Sequence, residues 1–162
     1  MIVRKAKEQD IDAIIKLLDE LETAHLGLNL SETERKFMQK SQDAHKIIKD
    51  GLEKSLKKDT GCLLVAEENG NAVGYLKAEI DVRSPTKLHN KKLYIRHLIV
   101  SNDYRNRGVG RKLLEKAEAF AKENKIQFIT LKTSPKNKSS TDFYKSLGFE
   151  DIYIEKIKNV KL

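Results

Sequence analysis

One segment in the second half of the chain constrains the fold more than any other. Residues 93–100 are mostly apolar and of strand length, a polar turn follows, and a helical pattern begins at two closely spaced glycines, Gly108 and Gly110. A strand that runs into a helix in this way leaves unpaired backbone N–H groups at the positive end of the helix dipole. Such groups suit a phosphate or pyrophosphate, and the glycines let a ligand approach the backbone closely.

Three arginines, Arg105, Arg107 and Arg111, add positive charge to this turn. Two familiar phosphate-binding patterns do not fit it. The Walker pattern requires a lysine and a hydroxyl residue after its last glycine, whereas Gly110 is followed by Arg111. The dinucleotide fingerprint requires a third glycine at the position of Leu113. Taken alone, the glycine pair is therefore equally compatible with a plain helix start.

Apolar periodicity along the whole chain predicts the order β-α-α-β-β-β-α-β-α-β. The predicted strands are residues 1–5, 62–66, 73–82, 93–100, 126–131 and 149–157, and the predicted helical regions are 11–21, 31–56, 108–124 and 139–147. Asn69-Gly70 predicts a tight hairpin, Asp10 an N-cap, and Ser31 with Glu34 a capping box. This order indicates a single α/β domain over residues 1–162, with one mixed sheet covered by helices.

Composition excludes several classes of protein. The chain has 162 residues, and 32 Lys+Arg against 24 Asp+Glu give a net charge of +8, which favours anionic ligands. It has no apolar stretch of about 18 residues for a membrane span and no apolar signal core at its N-terminus, so we expect a cytoplasmic protein. The lone Cys62 fits a reducing compartment, and the four histidines show no metal spacing, so no metal is expected. Nucleic acid is an alternative partner on charge alone, but clustered aromatics and a recognition motif are lacking.

Two signatures resemble those of the GNAT superfamily of N-acetyltransferases. Arg105-x-x-Gly108-x-Gly110 after an apolar strand is similar to the acyl-CoA signature of that family. Asn137, seven residues before Tyr144 in a Tyr-x-x-Leu-Gly-Phe run, is similar to its second signature. The first strand and helix also resemble the family, and the likeness is weakest over residues 22–60.

The resemblance implies the GNAT fold, with a mostly antiparallel sheet, and transfer of an acetyl group from acetyl-CoA to a primary amine by direct attack. The fourth and fifth strands would splay apart, and the pantetheine arm of the cofactor would occupy the gap between them. The N–H groups from Asn106 to Arg111 would hold the pyrophosphate. The residues implied in cofactor binding are Leu98, Ile99, Val100, Arg105, Asn106, Arg107, Gly108, Val109, Gly110, Arg111, Asn137 and Tyr144.

Tyr144 is the residue that the resemblance implies in catalysis. Acetyl transfer from a thioester to an amine expels a thiolate, and a phenol with a pKa of about 10 can protonate a thiolate whose acid has a pKa of about 8.5. The alternative role for Tyr144 is packing beside Phe143 and Phe149 on an amphipathic helix.

The general base is left open by the sequence. Many family members carry Glu or His on the fourth strand, whereas alternation here places Tyr94 and Arg96 on the face that Leu98 shares. Glu79 on the neighbouring strand, His97 on the opposite face and a water chain are the three candidates. Arg96 in the acceptor cleft would favour an anionic group on the substrate.

Three carboxylates near the end of the first helix, Asp19, Glu20 and Glu22, lie where the resemblance places the acceptor site. They would either attract a cationic amine or form a solvated helix edge. The acceptor, a small molecule or a peptide, is not identified, and neither the preferred acyl group nor a homodimer is decided. Because the fourth strand lacks a carboxylate, a non-catalytic acyl-CoA-binding sensor or scaffold is the alternative function.

Overall fold

The computed structural model describes residues 1–160, which form one five-stranded sheet with helices on both faces. The strands lie in chain order across the sheet: β1 (Ile2–Lys5), β2 (Gly61–Glu68), β3 (Asn71–Val82), β4 (Lys91–Val100) and β5 (Ile129–Leu131). The helices are α1 (Ile11–Leu26), α2 (Glu32–Met38), α3 (Ala44–Leu56), α4 (Val109–Glu123) and α5 (Lys138–Ser146). Strands β1 to β4 pair antiparallel, and β5 joins β4 in parallel. The predicted mixed, mostly antiparallel α/β sheet is confirmed.

Each face of the sheet is closed by an amphipathic helix. On one face, helical periodicity predicts a buried stripe on α4, and its residues Val109, Leu113, Ala117 and Ala121 are buried together with Leu114. Phe120, also predicted in this stripe, is only partly buried. On the other face, α1 packs Ile14 and Leu17 against β2 and β3, and α3 contributes Leu52. The sheet is thus buried on both sides, and β4 is held between the two cores.

The hairpin between β2 and β3 forms as predicted. Asn69 and Gly70 both have positive φ angles, 51° and 79°. Two successive left-handed residues give the turn that matches the twist of the flanking strands, which is why Asn-Gly is a strong signal for it.

Asp10 lies directly before α1, but the prediction that its side chain caps the helix is wrong. Its carboxylate accepts hydrogen bonds from the N–H of Lys7 (2.7 Å) and from the Arg4 guanidinium (2.7 and 2.9 Å). Arg4 also donates to Glu67 of β2 (2.8 Å). The hydrogen bonds from Arg4 hold the pKa of Asp10 below its usual value despite burial. A charged pair across chain segments has replaced a local cap, and it fixes β1 to the start of α1.

The predicted helical region 31–56 is two helices, with a break at residues 39–43. The capping box is present: the Glu34 N–H donates to Ser31 Oγ (3.2 Å), and the Ser31 N–H donates to the Glu34 carboxylate (2.6 Å). Helical periodicity over this region predicts one apolar stripe that includes Phe37 and Leu52, and this prediction is wrong, because Leu52 is buried whereas Phe37 is 73% exposed. The five residues of the break, QKSQD, have no apolar side chain that packing against the sheet would hold in a helix.

The last predicted strand, residues 149–157, is absent, since the described residues from 149 onward adopt no regular secondary structure. The preceding strand is also shorter than predicted, because only Ile129–Leu131 pair with β4. Tyr153 and Ile154 are 84% and 83% exposed. A strand needs a partner ladder, and a β5 of three residues offers too short an edge for the run of apolar residues at 152–154 to bury one face.

Candidate active site

A gap opens in the sheet beside the second half of β4. The two strands β4 and β5 pair only between Leu93–Ile95 and Ile129–Leu131, and the chain leaves the sheet after Leu131. Within the described chain, β4 has no strand partner on that side from Arg96 to Val100. This arrangement is the splay that the resemblance implies.

Hydrogen-bond alternation decides which backbone groups of β4 face this gap. The Ser101 N–H donates to a β3 carbonyl at 2.9 Å. Since antiparallel pairs alternate, Ile99 directs its backbone groups to β3, while Leu98 and Val100 direct theirs to the gap. The Val100 carbonyl accepts a hydrogen bond there from Arg105 Nε (3.1 Å). Of the three β4 residues that the resemblance implies in cofactor binding, Leu98 and Val100 thus direct their backbone groups to the gap, and Ile99 does not.

The loop from β4 to α4 is shaped by two left-handed residues. After a short 3-10 turn at Asn102–Tyr104, Asn106 has a φ of 60° and Gly108 a φ of 77°. Gly108 directly precedes α4, and no side chain caps the helix there. A Cβ at Gly108 would meet nothing within 4 Å. The start of α4 thus has no side-chain cap and has free space beside Gly108, as an anion site at a helix N-terminus requires.

Three exposed arginines surround this loop, and neighbouring groups orient two of them. Arg105 donates its hydrogen bond to the Val100 carbonyl at the end of β4. The guanidinium carbon of Arg107 lies 5.3 Å from the centroid of the Tyr104 ring. Arg111 lies exposed on the first turn of α4. The loop therefore combines free backbone donors with positive charge.

Asn137 is the N-cap of α5. Its Oδ1 accepts a hydrogen bond from the Ser140 N–H at 3.1 Å. The side-chain amide hydrogens are not used in this cap, so they are left to donate to a ligand. The sequence interpretation, a residue that binds the pantetheine arm, did not anticipate the structural role of the oxygen.

Tyr144 lies on α5 between two aromatic rings. Phe143 is its neighbour on the same helix, and Phe149 follows just after the helix ends. The Tyr144 ring meets Phe143 and Phe149 edge to face, with centroid distances of 5.2 and 5.5 Å. Burial raises the pKa of Tyr144 to about 12. The hydroxyl therefore keeps its proton at neutral pH, as a general acid must.

A β-bulge in β4 changes which side chains share a face. The register with β3 shifts at Arg96, which is the extra residue of the bulge. Tyr94 and His97 consequently lie on the same face, whereas Leu98 and Val100 pack into the core beneath α4. The prediction that Tyr94 and Arg96 share a face with Leu98 is wrong, since both lie on the side of Glu79; His97 lies opposite Leu98, as predicted. Strict alternation fails because a bulge adds one residue to one strand only.

His97 is a hydrogen-bonded, largely buried histidine. Its Nδ1 is bonded to the hydroxyl of the fully buried Tyr75. Burial, with repulsion from Lys77 and Arg96, lowers the pKa of His97 to about 4. The ring is therefore neutral at pH 7 and is a weak base.

Glu79 faces the same side of the sheet and is held by two cations. It accepts hydrogen bonds from Arg96 Nε (2.7 Å) and lies 3.2 Å from Lys77 Nζ. Burial alone would raise the pKa of Glu79, but these two partners outweigh it and hold the pKa below its usual value. Lys77 lies two residues before Glu79 on β3, so strand alternation puts the two side chains on the same face.

The three carboxylates of α1 are engaged by other parts of the protein. Asp19 contacts His45 of α3 at 2.8 Å, and Glu22 forms an ion pair with Lys40. Glu20 reaches the hydroxyl and N–H groups that follow β4, at 3.4 Å each. The structure favours the helix-edge interpretation over a binding site for a cationic amine.

Cys62 of β2 packs in the core, and burial raises the pKa of its thiol to about 11. Across residues 1–160, no group of three or more His, Cys, Asp or Glu side chains is arranged to hold a metal ion. Among the same residues, no helix is both long and apolar enough to cross a membrane.

A five-stranded sheet that splays beside β4, followed by a glycine-containing loop and an uncapped helix start, is typical of the acyl-CoA acyltransferase fold. The family model described as the acetyltransferase (GNAT) family matches residues 16–149. The chain belongs to this family.

Curated relatives carry N-acetyltransferase names. An uncharacterized N-acetyltransferase of Methanocaldococcus jannaschii is 31% identical over 59% of this chain and 42% of its own length. One from Bacillus subtilis is 28% identical over 93% of this chain and 91% of its own length. The chain thus spans less than half the length of the archaeal relative and most of the bacterial one.

Among solved structures, a predicted acetyltransferase from Clostridium acetobutylicum with acetyl-CoA is similar to this chain. The TM-score is 0.77, with 21% identity, over 98% of this chain and 95% of that one. This likeness extends the fold assignment across nearly the whole chain.

Proposed function

We propose that this protein transfers an acetyl group from acetyl-CoA to a primary amine. The observation that carries the proposal is the gap beside β4 that leads directly to the open helix start at Gly108. A pantetheine arm and a pyrophosphate need these two features in this order. Membership of the GNAT family and the N-acetyltransferase names of its relatives support the same reaction.

The proposed cofactor site is built from backbone groups. Leu98 and Val100 would pair with the amides of pantetheine, as a neighbouring strand would, while Ile99 would hold this part of β4 in place through its pairing with β3. The N–H groups from Asn106 to Arg111 would bind the pyrophosphate, with charge from the arginines, and the Asn137 amide would donate to the pantetheine arm. The residues proposed to contact the cofactor are Leu98, Val100, Arg105, Asn106, Arg107, Gly108, Val109, Gly110, Arg111, Asn137 and Tyr144, and Ile99 supports them without a contact of its own.

Acetyl-CoA supplies a thioester whose C–S bond breaks as the amine nitrogen bonds to the carbonyl carbon. Tyr144 then gives its hydroxyl proton to the sulfur that leaves with the bonding electron pair. Neither Glu79, held by two cations, nor His97, with a pKa near 4, is a strong base. We therefore assign removal of the amine proton to water.

We place the reaction in the cytoplasm, because the single Cys62 is buried and reduced, as is typical of a reducing compartment. The acceptor is a small molecule or a peptide that presents a primary amine. The alternative function, an acyl-CoA sensor without turnover, is kept because β4 carries no carboxylate.

The experiment measures thiol release from acetyl-CoA by the purified chain with a panel of amines. Binding of acetyl-CoA is measured separately, as a rise in the thermal unfolding temperature. Thiol release that depends on the amine, with an acetylated product found by mass spectrometry, supports the proposal. Binding of acetyl-CoA without thiol release for any amine favours the sensor. Failure to bind acetyl-CoA contradicts both functions.

A further inference from the structure

Arg96 is an exposed arginine beside the gap in the sheet. It is the extra residue of the bulge in β4, at the point where β4 separates from β5. Its Nε donates to Glu79 at 2.7 Å, and its guanidinium carbon lies 4.7 Å from the centroid of the Tyr94 ring. The side chain is nevertheless 51% exposed.

These two contacts fix the plane of the guanidinium before any ligand arrives. Glu79 engages the Nε edge, and the Tyr94 ring covers one face, so the two terminal nitrogens of Arg96 are left for a ligand. A guanidinium offers these nitrogens as a fork whose geometry matches a carboxylate. Because the side chain is already ordered, binding costs less conformational entropy than it would for a free arginine.

The charge balance on this face of β3 and β4 favours an anion. Lys77 lies beside Glu79 at 3.2 Å, and Lys92 lies beside Asp81 at 3.3 Å. The two lysines and two carboxylates cancel, and His97 is neutral at pH 7. The charge that remains is that of Arg96.

We propose that the acceptor carries a carboxylate close to its primary amine and that Arg96 binds this carboxylate. The inference rests on the proposed acetyl transfer and names the class of its acceptor. It also predicts that polyamines are poor acceptors, since the α1 carboxylates that would attract them are engaged within the protein.

The test uses matched pairs of acceptors that differ only in the carboxylate. Free amino acids are compared with their C-terminal amides, and the dipeptide amide Ala-Asp with Ala-Asn, so that a small-molecule source and a peptide source are distinguished. We expect the wild type to favour the carboxylate of one pair by about tenfold or more in kcat/KM, as one charge-assisted hydrogen-bonded pair provides.

Three variants assign this preference to a side chain. Arg96→Gln should reduce the ratio to about one, and Arg96→Lys should keep only part of it, because an ammonium lacks the fork. Lys92→Gln is the matched control: it removes an equal charge beside the same Tyr94 ring, where Lys92 Nζ lies 5.3 Å from the centroid. The ratio of kcat/KM between acceptors with and without the carboxylate should be the same in Lys92→Gln as in the wild type. Unchanged affinity for acetyl-CoA in each variant shows that the fold is intact.

The outcomes separate the two proposals. Turnover of amides or polyamines at least equal to that of carboxylates, or a carboxylate preference that survives Arg96→Gln, overturns the role of Arg96 and leaves the acetyltransferase proposal standing. No thiol release with any amine overturns the proposed function, and the acceptor class with it.

Discussion

The ring of Phe143 lies directly on Gly110: a Cβ at this glycine would stand 3.1 Å from Cζ of Phe143. The contact joins the first turn of α4 to α5, the helix that carries Tyr144. The two sequence signatures, which are 27 residues apart from Gly110 to Asn137, therefore meet in space through this pair of residues.

This contact predicts a thermodynamic coupling between the two positions. Gly110→Ala gains up to about 1 kcal/mol of helix propensity but forces the Phe143 ring to move. In a Phe143→Leu background the crowding is relieved, so the same substitution should be more favourable by about 1 kcal/mol. Urea unfolding of the two single variants and the double variant measures the coupling. Effects that add to within about 0.5 kcal/mol would contradict it.

We expect Gly108 to be needed for CoA binding because it has no side chain, in addition to its need for a left-handed backbone conformation. Gly108→Ala places a methyl group over the open helix start at a φ of 77°, and Gly70→Ala is the control at a φ of 79° with similarly free space. Both variants should lose about 1 kcal/mol of stability from left-handed strain. Only Gly108→Ala should also weaken CoA binding in calorimetry. An equal CoA affinity in both variants would remove the pyrophosphate from this loop.

Tyr144→Phe should lower kcat by about 10²-fold if the hydroxyl protonates the leaving thiolate. The ring contacts with Phe143 and Phe149 are retained, so CoA affinity and stability should change little. An acyl donor with a more acidic thiol should reduce the loss, because a better leaving group needs less protonation. Tyr153→Phe, at a position that is 84% exposed, is the control and should keep full activity. A kcat within about twofold of wild type, with chemistry rate-limiting, would exclude Tyr144 as the acid.

The low pKa of His97 predicts that the free energy of unfolding depends on pH. Its pKa is about 4 in the folded protein and about 6.5 when unfolded, so between these values the unfolded state binds more protons. The contribution of neutral His97 to the free energy of unfolding is therefore complete above about pH 6.5 and is lost as the pH falls toward 4. His97→Gln, which keeps an acceptor for the Tyr75 hydroxyl, should therefore flatten the decline in unfolding free energy across this range.

Urea unfolding of the wild type and His97→Gln at several pH values between about 7 and 4 measures this difference. Parallel curves for the two proteins would show that the histidine titrates alike in the folded and unfolded states. The same buried environment predicts that the pH profile of kcat/KM shows no inflection from His97 near pH 6.5.

Much of the fold follows from local sequence. Asn69-Gly70 specifies a turn that few other dipeptides make, so the β2–β3 hairpin needed no tertiary information. The stripe of α4 is long and periodic enough to predict its buried face, and the two signatures placed the loop at Gly108 and the helix with Tyr144 in the correct elements. Each of these features is fixed by residues within a few positions of one another.

Long-range pairing decided the rest. The side of β4 on which His97 lies depends on a bulge at Arg96, which exists only in the register with β3. The side chain of Asp10 binds Arg4 of β1 and does not cap α1, because a buried ion pair with several hydrogen bonds is more stable than a single capping hydrogen bond. The last predicted strand, although it contains strand-forming residues, did not form, because a strand is stable only with a ladder to pair with, and β5 supplies three residues. The sequence by itself therefore determined the family fold and its cofactor signatures. The tertiary structure decided which side chains of β4 share a face, because that depends on strand register and partners distant in the chain.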